Sequence, residues 1–434
     1  MLYQDRIWVG TGQNPVFLLP EMVDRHGLIV GATGTGKTVT AKVLAEGFSA
    51  MGVPVVMSDV KGTLSGMVRP GEFSPKIGQR LADCGVPSFC FRGFPTVFWD
   101  AYGERGHPIR TLIQCMSPQL LGRILGLNDT QSAVLSICYR VANDEGMLIL
   151  DLKDLQAMLI YVGEKSKEYI PRYGFFSTAS IGVALRAITA LEAQGVERIF
   201  GEPAINIADW FMVDEDGFGN INIIACDKLI KYPVFYSTYL FWMLCEIYDL
   251  LPEAKGVDKP RLVFFFDEAH LLFRNCTPMM SRLIERIIRL IRTKAVAVYF
   301  VTNEPADIPL SILGQLGNRI VHALYAYTPQ QQRFLNSLAQ TFRPSTAFDC
   351  RDAIGSLRDG HALVSFLDKN GTPTIVEQAT ILPPQSYMSP ITDELRQSVI
   401  ETSPFAGVYD KRINREEAYK ILKAESTDNS QNRR

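Results

Sequence analysis

The sequence predicts an α/β protein in which a mostly parallel sheet flanked by helices is interrupted by an all-helical insertion. Three observations carry that expectation. Short apolar runs, Gly27 to Val30, Val53 to Met57, Leu262 to Phe266 and Val296 to Thr302, lack the alternation of half-exposed strands and read as strands covered on both faces. Helical spacing follows such runs, as in Val39, Val43, Leu44 and Phe48. From about Arg110 to Gly195 the strand-like runs vanish, and helical patterns at Thr130 to Ala142, Leu152 to Glu168 and Ala179 to Gln194 take over between turn clusters.

The 434 residues are 47% hydrophobic and 21% charged, ample for a sizeable core. A formal charge of −2 supplies no overall field toward nucleic acid, so any polyanion contact must come from a local patch. The eight cysteines form no CxxC pair and no metal-ligand spacing, which fits a reducing compartment. The first residues do not read as a signal peptide. The most apolar helical stretch, Tyr236 to Leu251, is broken by Glu246 and Asp249 and too short to span a bilayer. A soluble, cytoplasmic protein with no membrane partner is expected.

Taken in order, a hairpin of Arg6 to Gly10 and Val16 to Leu19 precedes the strand at Gly27. GATGTGKT then lies between strand and helix, the context a phosphate-binding loop requires. Gly31, Gly34 and Gly36 permit the backbone conformations that aim N–H groups inward, and the new helix adds its positive end. Gly31, Ala32, Thr33, Gly34, Thr35, Gly36, Lys37, Thr38 and Val39 are therefore the expected cradle of ATP. Lys37 is expected to reach the β- and γ-phosphates, and the Thr38 hydroxyl to ligate Mg2+. The next strand ends in Ser58, Asp59 and Lys61 at the carboxyl edge, where ligands of open α/β sheets sit, and functional and structural readings of Asp59 and Lys61 are even. A further strand is expected at Ser88 to Phe91. The apolar stripes of the insertion read as its own core. DEDGFGN, Asp214 to Asn220, resembles a calcium loop but lacks the later bidentate glutamate, so it reads as a hairpin turn.

The run from Leu262 to Phe266 ends abruptly in Asp267 and Glu268. Burying two carboxylates at a central strand end without compensation costs several kcal/mol, which a metal ion and a water awaiting activation explain. Asp267 is assigned to Mg2+, and Glu268 to polarising the water that attacks the γ-phosphate. The helix SRLIERIIRLIRTK buries Leu283, Ile284, Ile287, Ile288 and Ile291, with Arg282, Arg286 and Arg289 on another face and Arg292 and Lys294 closing it. That basic face is either solvated, or touches DNA, or lends Arg292 to a neighbouring subunit's γ-phosphate. The strand from Val296 delivers Thr302 and Asn303, which sense the γ-phosphate or cap the following turn. Gln315, Asn318 and Arg319 are expected beside the same active edge, Arg319 as a second candidate finger. His270 reads as support behind Glu268, and His26, His107, His322 and His361 as structural. A hairpin around Lys369, Asn370 and Gly371 follows, PPQSYMSP reads as a break in the fold, and the tail from about residue 424 as disordered.

With those motifs placed, the chain resembles the HerA/FtsK superfamily of P-loop motor ATPases, and within it the bacterial HerA-like proteins of the YjgR type. RHGLIVGATGTGKTVT, DVKGTLSG, LNDTQSAVL, LLDLKDLQAMLIYVGE, FGEPA, FFFDEAHLLF and DIPLSILGQLGNRIVHAL carry the likeness, in family order through nearly the whole chain. The resemblance implies a RecA-like P-loop NTPase core in two parts, 1–104 and 219–382, a helical insertion at 105–218 and a C-terminal extension at 383–434. It also implies a homo-oligomer, a hexameric ring with ATP between subunits, translocating on double-stranded DNA. Members that pair with a nuclease carry an N-terminal β-barrel of about a hundred residues, for which about 26 residues before the loop strand leave no room. That weakens a nuclease partner and leaves another protein partner open. Asn303 replaces the usual glutamine of the sensor strand, which makes slow hydrolysis an expectation. The alternative function is an ATP-gated interaction module or assembly ATPase without motor activity.

Overall fold

The computed structural model describes residues 1–254, 256–413 and 417–431, with side chains through residue 424. Strands β1 (Leu2–Tyr3), β2 (Arg6–Thr11) and β3 (Pro15–Leu18) open the chain, the last two as an antiparallel hairpin. Next come β4 (Gly27–Val30), α1 (Lys37–Ala50), β5 (Val55–Asp59), α2 (Pro75–Asp83), β6 (Thr96–Asp100) and β7 (His107–Pro108). The helical stretch supplies α3 (Pro118–Ile124), α4 (Asp129–Asp144), α5 (Leu152–Glu164), α6 (Ser166–Tyr173) and α7 (Thr178–Glu192). β8 (Ile221–Ala225), α8 (Pro233–Leu250), β9 (Leu262–Phe266), α9 (Pro278–Leu290), β10 (Val296–Thr302), α10 (Leu310–Leu313) and β11 (Asn318–Val321) resume the α/β rhythm. The chain closes with α11 (Pro329–Gln340), α12 (Cys350–Ser356), the hairpin β12 (His361–Ser365) and β13 (Glu377–Ile381), α13 (Asp393–Glu401) and α14 (Ala418–Gln431).

All these strands join one sheet in the order β1-β2-β13-β12-β11-β4-β10-β9-β5-β8-β6-β7, with β3 paired to β2. From β11 to β7 every neighbouring pair is parallel, and from β11 to β1 every pair is antiparallel. Parallel strands need crossovers that cover both faces, so β4, β8, β9 and β10 are buried along their whole length, which is why they read as unbroken apolar runs. On one face Phe48 of α1 meets Phe265 and Tyr299. On the other, Phe264, Phe266 and Trp99 pack under α8, which is apolar nearly all round because it lies between sheet and insertion.

Three expectations change. The residues Ser88 to Phe91 form no strand: Phe89 and Phe91 pack edge-on against each other at 5.2 Å, while TVFWD, as β6, adds to β8. The insertion has no core of its own, since Val134, Leu155 and Ile188 belong to the same buried cluster as Trp99 and Phe264. The segment 383–388 does not break the fold. Glu46 of α1, fully buried, accepts hydrogen bonds from the N–H groups of Gln385 and Ser386 (2.8 and 3.0 Å) and from the Ser386 hydroxyl (2.6 Å), and Lys42 donates to the Tyr387 carbonyl (2.7 Å).

The Asp214 turn is as expected, its carboxylate accepting from the N–H of Asp216 and Phe218. Beyond the strap, Phe405 and Tyr409 close on Trp99, with ring centroids 5.1 and 5.7 Å away. α14 continues the backbone to Gln431 against α5; the expected disorder from about 424 otherwise falls on side chains and residues outside those described. No single helix among the described residues is long and apolar enough to cross a membrane.

Glu46→Gln keeps the size of the side chain but halves its accepting capacity beneath the strap. It is expected to lower stability by about 2–3 kcal/mol, read as a shift in the denaturant midpoint at unchanged slope.

Candidate active site

The parallel register sets four strand ends side by side. Thr302 lies opposite Val30, Phe300 opposite Phe266, and Met57 opposite Phe265, so the loop after β4, Asn303, Asp267 and the end of β5 share one edge. Two backbone bonds fasten the loop to its neighbours: the Gly31 N–H donates to the Thr302 carbonyl (3.3 Å) and the Ala32 N–H to the Ala323 carbonyl (2.7 Å).

Glycine is required at Gly31 by space, because a Cβ there would lie 2.6 Å from the His322 Cβ and the Thr35 hydroxyl. At Gly36 it is required by conformation, with φ of +119°. Thr35 is buried and turns its hydroxyl back to the Ala32 carbonyl (2.8 Å), so it shapes the loop. With the Gly31, Ala32 and Thr35 N–H groups engaged within the protein, the cradle is left to the N–H groups of Thr33, Gly34, Gly36, Lys37, Thr38 and Val39, which have no protein acceptor among the described residues. Lys37 donates to the carbonyls of Gly31 (2.7 Å) and Ala32 (3.0 Å), lying across the space that the loop encloses. Burial lowers its pKa, against the pull of Glu268 and Asp267. Thr38 is exposed, and Val39 lines a cleft beside the loop. Beneath the loop, buried His322 bridges the Thr40 hydroxyl (2.8 Å) and the His361 carbonyl (2.9 Å), and burial holds its pKa down at about 4.

Burial and the neighbouring Glu268 push the Asp267 carboxyl up to about 7, against Lys37 and Lys61. An acid so disfavoured as an anion sits beside the exposed Thr38 hydroxyl's loop, with Lys37 and Lys61 in electrostatic reach; this donor set fits a hard divalent cation. Its backbone is fixed from behind: the Asp267 N–H donates to the Ser58 hydroxyl (3.2 Å), and Tyr236 donates to the Asp267 carbonyl (2.9 Å). Glu268 has φ of +48°, a left-handed conformation costing roughly 1 kcal/mol in a non-glycine residue. Its carboxylate lies 3.5 Å from His270, whose ring also meets the Thr302 hydroxyl at 3.1 Å. Thr302 in turn accepts from the Glu304 N–H, so it caps its turn and joins the two strand ends. Asn303 Oδ1 is buried without a partner among the described residues, a polar atom turned inward at the end of β10.

Of the even pair, Asp59 is structural, buried and accepting from the Leu64 N–H (3.0 Å), whereas Lys61 is exposed and within electrostatic reach of Lys37 and Asp267. The arginines are not beside the active edge. Arg319 stands opposite Leu28 at the amino end of β4, its guanidinium donating to the carbonyls of Leu316 and Leu313 (both 3.0 Å), and Arg292 precedes β10 at the same end. With Arg25 and Gln315 they line a separate cavity of about 350 Å³, in which Arg292 Nε has no partner. Asn318 there is structural, holding the Met22 and His26 carbonyls. Sequence reasoning set Ser58 at this edge without its bond to Asp267, and missed Tyr236 and the insertion's Arg123, which donates to the carbonyls of Leu271 (3.3 Å) and Arg274 (3.4 Å) behind Glu268. None carries a motif; Tyr236 is hidden in the apolar run of α8.

A parallel sheet with this loop and an acidic strand end defines a RecA-like P-loop protein. The family described as "Helicase HerA-like C-terminal" matches residues 4–434, and the chain belongs to it. Among solved structures it is similar to the bacterial conjugative coupling protein TrwB lacking its first segment, at 14% identity and a TM-score of 0.53, covering 89% of this chain and 91% of that one. It is similar also to VirB4 of Thermoanaerobacter pseudethanolicus, at 16% identity and a TM-score of 0.53, covering 87% and 97%. TrwB in complex with the GTP analogue GDPNP matches with a TM-score of 0.55 at 14% identity, covering 87% and 89%. A search of curated proteins by sequence finds no match.

Two outcomes test this geometry. Glu268→Gly is expected to relieve the left-handed strain and raise stability by about 1 kcal/mol while abolishing turnover. His26 and His322 are both held neutral by burial with pKa values of about 4, below the usual 6.5. The unfolded chain therefore takes up protons first, and stability present above pH 6.5 is lost as pH falls toward 4, by about 3 kcal/mol for each histidine. Denaturation midpoints across that window, with and without His322→Gln, measure it.

Proposed function

We propose that the chain is a Mg2+-dependent ATP hydrolase working as a ring-forming translocase on double-stranded DNA. The observation that supports it most is the meeting of Lys37 and Thr38 with Asp267, Glu268 and Asn303 at one sheet edge, residues far apart in the chain. The loop N–H groups and Lys37 bind the phosphates. Thr38 and Asp267 would hold Mg2+, and the ion would supply charge neutralisation at the phosphate oxygens. Glu268 takes the proton of the attacking water, and His270, tied to Thr302, orients that carboxylate. Asn303 offers its free Oδ1 to the same water or its amide to the γ-phosphate.

Arg292 and Arg319 lie at the edge opposite their own loop, so either serves hydrolysis only across a subunit boundary. That placement supports an oligomer, and the ring proposed here is the hexamer that the family resemblance implies. The net charge of −2 leaves DNA to local cations such as the exposed Arg282, Arg286 and Arg289 of α9. The cytoplasm is the proposed location.

Glu268→Gln is expected to bind ATP normally and lose turnover by about 10² to 10⁴-fold, and Asp267→Asn to lose Mg2+-dependent turnover; retained hydrolysis in either removes the assigned role. Duplex DNA should stimulate ATPase at low salt, and nucleotide should raise the mass in solution to that of a ring. Flat ATPase with DNA, together with nucleotide-dependent capture of a specific protein, would replace the motor by an ATP-gated interaction module. Mixing Lys37→Ala with Arg292→Ala protein should regain part of the turnover if the arginine acts in trans; no regain places it elsewhere.

A further inference from the structure

On the edge of the sheet opposite the phosphate loop, three arginines surround the cavity of about 350 Å³. They come from three strands that lie side by side, in the order β11, β4, β10. Arg319 is the second residue of β11, Arg25 stands two residues before β4, and Arg292 four before β10.

Little answers their charge. No carboxylate lines the cavity. Asp24, beside Arg25 in sequence, meets its Nε at 3.9 Å, and the Asp24 Oδ1 is buried without a hydrogen bond. Arg292 makes no hydrogen bond or ion pair among the described residues, and its Nε is buried. Burial lowers the pKa of Arg319 and of Arg292, and at Arg292 the neighbouring Arg25 adds to the effect while Asp24 opposes it. Three guanidinium charges less one carboxylate leave two positive charges without counter-ions, a costly arrangement away from water.

The remaining polar side chains of the lining are mostly engaged. Thr341 and Ser365 donate their hydroxyls to the carbonyls of Leu338 (2.7 Å) and Thr374 (2.9 Å). Arg319 spends Nε and Nη2 on the carbonyls of Leu316 and Leu313. Gln315 donates to the Ser311 carbonyl (3.2 Å), which fixes its amide and leaves Oε1 buried with no donor. Buried Phe342 and Leu367 add apolar wall.

We propose that this cavity binds a phosphorylated sugar or polyol, its phosphate against Arg25, Arg292 and Arg319, a hydroxyl donating to Gln315 Oε1, and its carbon skeleton against Phe342 and Leu367. A phosphate monoester carries nearly two negative charges at neutral pH and three acceptor oxygens, which matches the two uncompensated charges; a carboxylate would neutralise one. The volume exceeds what a lone phosphate fills and lies at the small end of pockets for organic ligands. The site does not depend on the reading of the phosphate loop. A neighbouring subunit's γ-phosphate would present the same chemistry to these arginines, so the test is made on protein that holds no nucleotide.

Glucose 6-phosphate, ribose 5-phosphate, glycerol 3-phosphate, glucose and inorganic phosphate are titrated into the full chain carrying Lys37→Ala and freed of nucleotide. At least one of the three esters is expected to bind with a Kd below about 1 mM, inorganic phosphate about tenfold more weakly, and glucose not measurably. Arg292→Gln, and Arg25→Gln at an exposed position that the fold does not need, should each weaken that ester by about tenfold. Gln315→Ala should weaken it by about fivefold and change inorganic phosphate by less than about twofold. Binding of none of the esters, inorganic phosphate as tight as the best ester, or an ester affinity untouched by both arginine variants overturns the proposal. Binding that wild type shows with ATP and the nucleotide-free protein never shows assigns the arginines to a neighbouring subunit's γ-phosphate, and overturns it too.

Discussion

The register of the parallel strands is the constraint on which the rest depends. Because β5, β9, β10 and β4 run in the same direction with their ends nearly level, a lysine, a threonine hydroxyl, two carboxylates and an amide reach one edge. A slip of one residue in any pair would turn a strand's side chains to the opposite face, undo the packing on both buried faces and move the strand ends out of level. The two bonds from Gly31 and Ala32 to Thr302 and Ala323 then make the loop part of the sheet, so its free N–H groups keep their direction without a ligand.

Charge inside this frame is arranged in opposition. Asp267 is disfavoured as an anion by burial and by Glu268, Lys37 is disfavoured as a cation by burial, and each moderates the other. A divalent cation and a polyanion entering together neutralise both, which is a physical reason for nucleotide and metal to bind as a unit. Glu268 adds conformational tension. Its left-handed backbone aims the carboxylate along the edge, and His270 and Thr302 convert that direction into contact with the sensor strand.

Elements distant in the chain hold the site from behind. Arg123 of the insertion ties down the carbonyls after Glu268, and Arg274 pairs with Glu304 and Asp307 across the two strand ends. The C-terminal strap is bonded to α1 through Glu46 and Lys42, so that the helix carrying Lys37 and Thr38 cannot shift without it. Displacement at the edge is thereby shared with the insertion and with the last segment of the chain.

Much of the site was legible because its signals are local. Glycines at fixed offsets, and apolar runs that stop at Thr38's loop, at Asp267 and at Asn303, fix their place within a dozen residues, as do the strands covered on both faces. The sequence by itself therefore determined the loop, the acidic pair at a strand end, the strand that ends in Thr302 and Asn303 and the alternation of strand and helix, since each follows from short-range spacing and burial. Tertiary structure alone decided that β6 and not the Ser88 region joins the sheet, and that Asp59 is a turn cap while Lys61 stays exposed. It alone set Arg292 and Arg319 at the far edge, and made the PPQ segment a strap. Those outcomes depend on which strand ends are neighbours and on partners up to some hundreds of residues away, as Glu46 and Ser386 are, and no local pattern carries that information.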